Sequence, residues 1–342
     1  MKAKVSGTKK KINGTTFLLM ITILLFVVMY AAGMIVFNDK GFAKPQMFLN
    51  LFISNAGLLV ISCGLTIVMI TGGIDISVGS VTALVCMVMA DLMENKGVSA
   101  YVAVLAALLI GLAFGVVQGF LVTYMGIQPF IVTLAGMFFA RGMTSIVHTD
   151  PFNVQNEAFV KLKDTRVIVP GMGSVNRIGK YVNAYVEIGV IVAILIVVIM
   201  FVMLRWTKLG RSFYAVGGNR QSALMLGINV KKTRFLAHLL SGLLAGIAGY
   251  VYFLHVGSGA ATHASGMEMN AIASSIIGGT LLTGGVGNII GTFFGVLSLS
   301  TIQNIVSSAG LDQAWWTGIT IAAMLCLFLV IQSVVLARKK RK

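Results

Sequence analysis

The spacing of its apolar runs constrains this chain most. Stretches of roughly 20 residues with almost no charge recur from Phe17 to Leu336, the length needed to cross a bilayer core. Full-length runs cover Phe17–Phe37, Leu51–Ile70, Tyr101–Val122, Phe130–Val147, Ile188–Leu204, Phe235–Leu254, Ile289–Val306 and Thr317–Leu336; two shorter ones cover Val81–Ala90 and Met269–Ile277. A soluble domain carries about a quarter charged residues. Here 11% are charged, 57% are hydrophobic and the mean hydropathy is +0.94, too little polar surface to cover the chain in water. A transmembrane barrel would show alternating segments of about 10 residues, and none are evident. The expected fold is therefore an all-α membrane protein, a polytopic helical bundle of about ten transmembrane helices in a lipid bilayer, or eight if the two short runs are re-entrant.

The net charge of +16 could suggest a nucleic-acid binder, but its distribution does not. Five Lys fall in residues 1–16, seven Lys/Arg in 205–234 and five in 338–342, with no acid in any of the three segments. Basic segments flanking apolar runs mark the cytoplasmic side, whereas a duplex-binding face needs base-reading side chains on a soluble surface; no nucleic-acid partner is expected. Both termini and the 205–234 loop then lie inside, which requires an even number of spans. The polar segment from His148 to about Asn183 mixes both charge signs and is expected outside. The division that follows is a basic N-terminus (1–16), one transmembrane domain (17–336) and a basic tail (337–342). The apolar stretch beginning at Phe17 is too long for a signal-peptide core and lacks a clean cleavage site before Asn38, so it reads as a retained first span. Cys63, Cys86 and Cys326 sit in apolar runs without ligand spacing and read as packing residues.

Gly111–Met137 and Gly291–Met324 share G-x-x-x-G-V, a polar turn and a following span. With ten spans the two copies run in opposite directions, an inverted repeat. The frequent G-x-x-x-G spacings, such as Gly111/Gly115/Gly119 and Gly242/Gly246, read as close helix packing.

Two interruptions are of another kind. TGGIDISVGS (71–80) places Asp75 among glycines in the middle of an apolar region. An acid there marks a function or a watery cavity, or else caps the next helix with help from Ser77 and Ser80; Gly72 and Gly73 fit broken backbone under either reading. GGTLLTGGVGN (278–288), with Gly278 and Gly279, is a second break without a charge. Asn55, Gln118, Asn270, Gln303 and Asn304 within spans either line a route for a polyhydroxylated solute or bond helix to helix. No phosphate-binding loop, H-E-x-x-H or G-x-S-x-G occurs, and His148, His238, His255 and His263 lack partners at ligand spacing. No catalytic residue or metal site is expected, and energy for uphill transport has to enter through a partner or an ion gradient.

In the basic loop, Asn219 is a candidate N-cap for a helix over Arg220–Leu226 ended by Gly227. Two turns are not stable alone, so this helix must dock on the bundle, on lipid headgroups or on a soluble partner.

Three longer stretches carry a family resemblance. GGIDISVGS (72–80), QPFIVTLAGMFFARG (128–142) and AIASSIIGGTLLTGGVGNIIGT (271–292) resemble, in order, the motifs of ribose-type permeases of bacterial ABC importers for monosaccharides. LAGMFFARG, YAVGGN and WWT are more narrowly similar to a permease of galactofuranose importers. The resemblance implies a type II importer-like fold in the bacterial inner membrane and a second permease copy or homologue. It also implies cytoplasmic ATPase subunits carrying ATP-Mg, an extracytoplasmic sugar-binding protein, and no cofactor on this chain itself. It further implies that Asn219–Ile228, NRQSALMLGI, is the ATPase-coupling helix, matching N-x-x-A-A-x-x-x-G-I through Asn219, Ala223, Gly227 and Ile228. Arg220 and Leu224 fall at its free positions. Gln221 and Ser222 depart from that family's usual acid or Lys and Ala, which leaves the docking role intact but not a specific salt bridge. A gradient-driven secondary transporter or channel acting without an ATPase is the alternative.

Overall fold

A computed structural model of the chain describes residues 14–175, 179–311 and 313–340. Most of the basic N-terminal segment, and the last two residues of the basic tail, lie outside the described residues. The helices are α1 (Gly14–Val36), α2 (Pro45–Ile70), α3 (Val78–Glu94), α4 (Ala100–Thr123), α5 (Pro129–Val147), α6 (Glu157–Lys163), α7 (Ile188–Trp206), α8 (Lys208–Gly218), α9 (Arg220–Met225), α10 (Val230–Val256), α11 (Met267–Ile277), α12 (Ile289–Ser308) and α13 (Ala314–Lys340). Local chemistry sets several of the boundaries. Pro45 and Pro129 open α2 and α5 at the first helical turn, where a missing N–H costs nothing, and Gly257 closes α10 at φ +69.

Eight of these helices are long and apolar enough to cross a membrane. The short runs form α3, of 17 residues, and α11, of 11. Both nevertheless belong to a ten-segment path, because the helix ends sort into two groups. At one end Glu94 accepts from the amides of Gln155 and Asn156, Lys40 donates to Ser308 O, and His255 meets Glu187 at 2.9 Å. At the other end Gly285 N donates to Ile70 O at 2.8 Å and Tyr214 Oη to Gly287 O at 2.9 Å. Each of α3 and α11, completed by its broken flank, runs between these groups. The order long, short, long, long thus occurs twice, in α2–α5 and in α10–α13, and the two sets are traversed in opposite directions.

The segment after α5 carries short strands among its described residues. Strand β1 (Phe152–Asn153) pairs antiparallel with β4 (Ser258–Gly259), and β2 (Arg166–Val175) pairs with β3 (Tyr181–Glu187) with a register irregularity between Ile168 and Gly173.

α2 is the axis of the bundle: every residue from Asn55 to Ile70 is buried. Hydroxyls along it bond to its neighbours, Ser62 with Ser274 at 3.2 Å, Thr66 with Ser275 at 3.0 Å and with Thr292 at 2.7 Å. Such interhelical bonds are worth about 0.6 kcal/mol each in a membrane. Glycine lets α4 and α10 approach closely. A Cβ on Gly242 would stand 2.6 Å from Gly115 Cα, and one on Gly246 would stand 2.6 Å from Ala107 O. Cys63 and Cys86 are buried as packing residues, but Cys326 is exposed, because it sits on the outward face of α13; for this cysteine the packing reading is corrected.

Candidate functional site

The 205–234 stretch is helical nearly throughout. Thr207 caps α8, its side chain accepting from Gly210 N, and Leu209, Phe213 and Val216 are spaced to turn one apolar face inward. Phe213 and Val216 are fully buried. Asn219 then caps α9, accepting from Ser222 N at 2.9 Å. Gly227 N bonds to Leu224 O and Ile228 N to Ala223 O, with Gly227 at φ +76, the hydrogen-bond pair of a Schellman closure. Ala223 is buried against the bundle, whereas Leu224, Met225 and Leu226 are 53%, 79% and 78% exposed. Arg220, Gln221 and Ser222 are exposed as well. A capped helix of six residues thus holds an apolar tip away from its own fold.

This tip connects to both helix breaks through glycine. Gly217 lies directly against Ile70 O at the end of α2, and a Cβ there would stand 2.6 Å from Gly285 N. A Cβ on Gly285 would stand 2.7 Å from Gly218 Cα, and one on Gly284 would stand 3.0 Å from Gly72 Cα. Gly72, the pair 217–218 and the pair 284–285 therefore meet backbone to backbone, and at Gly217, Gly284 and Gly285 no side chain fits. The Arg220 side chain reaches the same place, 3.9 Å from a Cβ position on Gly72. Gly278 packs on Gly291 at the start of α12, and Gly279 takes φ +87.

Asp75 sits just past this junction and is 1% exposed. Its Oδ1 accepts from Ser77 N at 3.0 Å and Ser77 Oγ at 2.7 Å, and its Oδ2 from Ser241 Oγ on α10 at 2.8 Å. Ser77 Oγ in turn accepts from Gln118 Nε2 on α4 at 2.9 Å. Asp75, Ser77 and Gln118 thus form one buried network that ties the α2–α3 break to two helices. Ser80 takes no part in it, its Oγ being buried without a partner among the described residues.

Three of the other polar residues converge elsewhere. Asn55, Asn270 and Gln303 line a cavity of about 290 Å³ with Ser54, Tyr252 and His263. Asn55 Nδ2 donates to Leu51 O and Ser300 Oγ, the latter at 2.7 Å. Asn304 is half-buried on α12 and does not border this cavity. The cavity rim is the loop from Gly257 to Gly266. Arg141 on α5 clamps it, Nη1 donating to Ala261 O at 3.0 Å and His263 O at 2.7 Å. Within the loop His263 Nε2 meets Ser258 Oγ at 3.0 Å, and Ala264 is held at φ 52.

A protein-family model described as "Branched-chain amino acid transport system / permease component" matches residues 47–329. The chain belongs to this permease family. It is 37% identical over 314 residues, 92% of this chain and 91% of the other, to the inner membrane ABC transporter permease protein YjfF of Escherichia coli (strain K12). It is 35% identical to the fructose import permease protein FruG of Bifidobacterium longum (strain NCC 2705), over 98% of this chain and 96% of that one. Identity to the ribose import permease protein RbsC of Escherichia coli (strain K12) is 37%, over 74% and 75% of the two chains. No solved structure matches. The permease is a multi-pass membrane protein whose relatives are transporter subunits rather than enzymes.

Sequence reading alone missed several residues of these sites. For Gly217, Gly218, Gly284 and Gly285 the repeated Gly-Gly pairs are the signal. Ser241, Ser300 and the rim loop carry none, because their partners are more than 100 residues away in sequence, and Arg141 lies in a family motif that does not reveal its partners. Glu268 on α11 is buried, with Oε2 packed on Gly79 and unpartnered among the described residues. An acid inside an apolar run could have flagged it.

Proposed function

We propose that this permease is the membrane-spanning subunit of a monosaccharide ABC importer in the bacterial inner membrane, with both termini and the α8–α9 segment cytoplasmic. The observation that carries this reading is the exposed Leu224–Leu226 tip of a doubly capped helix whose base abuts both helix breaks. An apolar tip on so short a helix fits a groove on a soluble partner, here a cytoplasmic ATPase subunit binding ATP-Mg. Closure of two such subunits would push α9, and Gly217 and Gly218 would pass the displacement to the ends of α2 and α12, rocking the bundle between outward- and inward-open states. A second permease copy or homologue completes the membrane part. A sugar-binding protein delivers solute at the opposite end, over the β2–β3 hairpin.

The neutral amides of Asn55, Asn270 and Gln303 around the small cavity suit an uncharged polyhydroxylated solute, offering donors and acceptors without a charge to desolvate. Asp75, closed within its own network, serves this reading as the fixed point of the α2–α3 break. Fructose and ribose in the names of two relatives support a monosaccharide. Galactofuranose is the finer choice, supported by the similarity of LAGMFFARG, YAVGGN and WWT.

Deleting Arg220–Leu226 is the test. The shortened permease is expected to insert normally but to lose its co-purifying ATPase; an ATPase retained at the wild-type level would overturn the coupling assignment.

A further inference from the structure

At the basic-loop end, away from the α9 tip, a cavity of about 460 Å³ opens between α1, α7, α8 and the start of α12. Its walls differ in kind. Arg205 and Arg211 supply two cations beside the Tyr214 ring, while Leu19 from α1 and Phe201 and Leu204 from α7 supply an apolar wall continuous with membrane-spanning helices. Both arginines are exposed, and neither meets a carboxylate within the described residues. Arg211 Nη1 donates only to Trp206 O at 3.3 Å, and Tyr214 Oη is spent on Gly287 O. No acid occurs anywhere in sequence between Glu187 and Glu268, so the counter-charge has to come from outside this part of the chain. Trp206, 63% exposed, stands next to the site, as interfacial tryptophans do at headgroup level.

We infer that this cavity binds the phosphate headgroup of an anionic phospholipid, with Arg205 and Arg211 on the phosphate and an acyl chain along Leu19, Phe201 and Leu204. The ligand must be amphiphilic, because a free anion would leave the apolar wall uncovered, and anionic, because a zwitterionic lipid brings its own ammonium beside the phosphate and so adds a third cation to the two arginines. Basic pockets between transmembrane helices hold anionic headgroups for this reason, and two arginines correspond to roughly 30-fold preference over a zwitterionic headgroup. The bound lipid would brace α8 against α12 at the start of the segment that carries α9.

Native mass spectrometry of the purified full chain, loaded from mixed phosphatidylglycerol and phosphatidylcholine, tests the inference. Wild type is expected to retain phosphatidylglycerol preferentially, R205Q/R211Q to lose that preference, and K231Q/K232Q, which removes two charges elsewhere in the same basic segment, to keep it. Equal retention of both lipids by wild type would overturn the inference without any variant. So would undiminished preference in R205Q/R211Q, or equal loss in K231Q/K232Q, which would show unspecific charge attraction. Millimolar inorganic phosphate should fail to displace the lipid; displacement would identify a simple phosphate site instead.

Discussion

Asp75 shows how one residue can be visible in a sequence while its role is not. Its charge among apolar neighbours marks it at once, yet only the fold reveals Ser241 and, through Ser77, Gln118 as its companions. Substitution by Ala leaves a buried N–H and buried hydroxyls unmet, each costing about 1–3 kcal/mol, whereas Asn keeps one acceptor. Thermal unfolding in detergent should therefore rank wild type above Asp75→Asn and Asp75→Ala lowest; equal midpoints would remove the network from the account. His263 offers a prediction in pH. Burial in the rim loop pushes its imidazole below the ordinary value of 6.5, partly offset by the hydrogen bond with Ser258. Above that value the imidazole is neutral in both the ordered and the opened loop. As pH falls below it, the opened loop takes up the proton first, so order in the 257–266 loop is lost on acidification. Hydrogen exchange of that loop should accelerate below about pH 6.5 in wild type and lose this dependence in His263→Gln.

Among the elements, the long helices were legible because apolar length is a local property, and all eight full-length runs became helices of nearly the expected bounds. The α9 helix was legible too, since Asn219 and Gly227 are local cap signals. α8 was not separated from it, although Leu209, Phe213 and Val216 already carry the helical period. The glycine junction was only half legible, because the repeated Gly-Gly pairs mark candidates without showing which of them meet. That meeting makes Gly217 a sharp probe. Its missing Cβ faces Ile70 O, and overfilling a packed site typically costs 1–3 kcal/mol. In the account, Gly217→Ala separates α8 from the break: the ATPase still co-purifies and hydrolyses ATP, while solute uptake falls about tenfold or more. Wild-type uptake in this variant would mean that the junction transmits nothing.

For the whole molecule, the paired sets α2–α5 and α10–α13 place their short helices α3 and α11 in matching positions, but one break precedes α3 and the other follows α11, so the two breaks meet at the same end of the bundle. Their glycines converge on the segment that carries α9, while the amide-lined cavity lies toward the opposite end of α2. In the proposed function, energy input and solute contact therefore fall at opposite ends of a shared central helix. The sequence pattern could supply the bundle but not this separation, which depends on where Asn55, Asn270 and Gln303 come together. The most direct test is monosaccharide uptake by membrane vesicles holding the complete transporter, with ATP and the ion gradients controlled separately. Uptake is expected to persist when ionophores collapse the gradients and to stop when ATP is withdrawn. Uptake that follows the gradients and ignores ATP would contradict the proposed function.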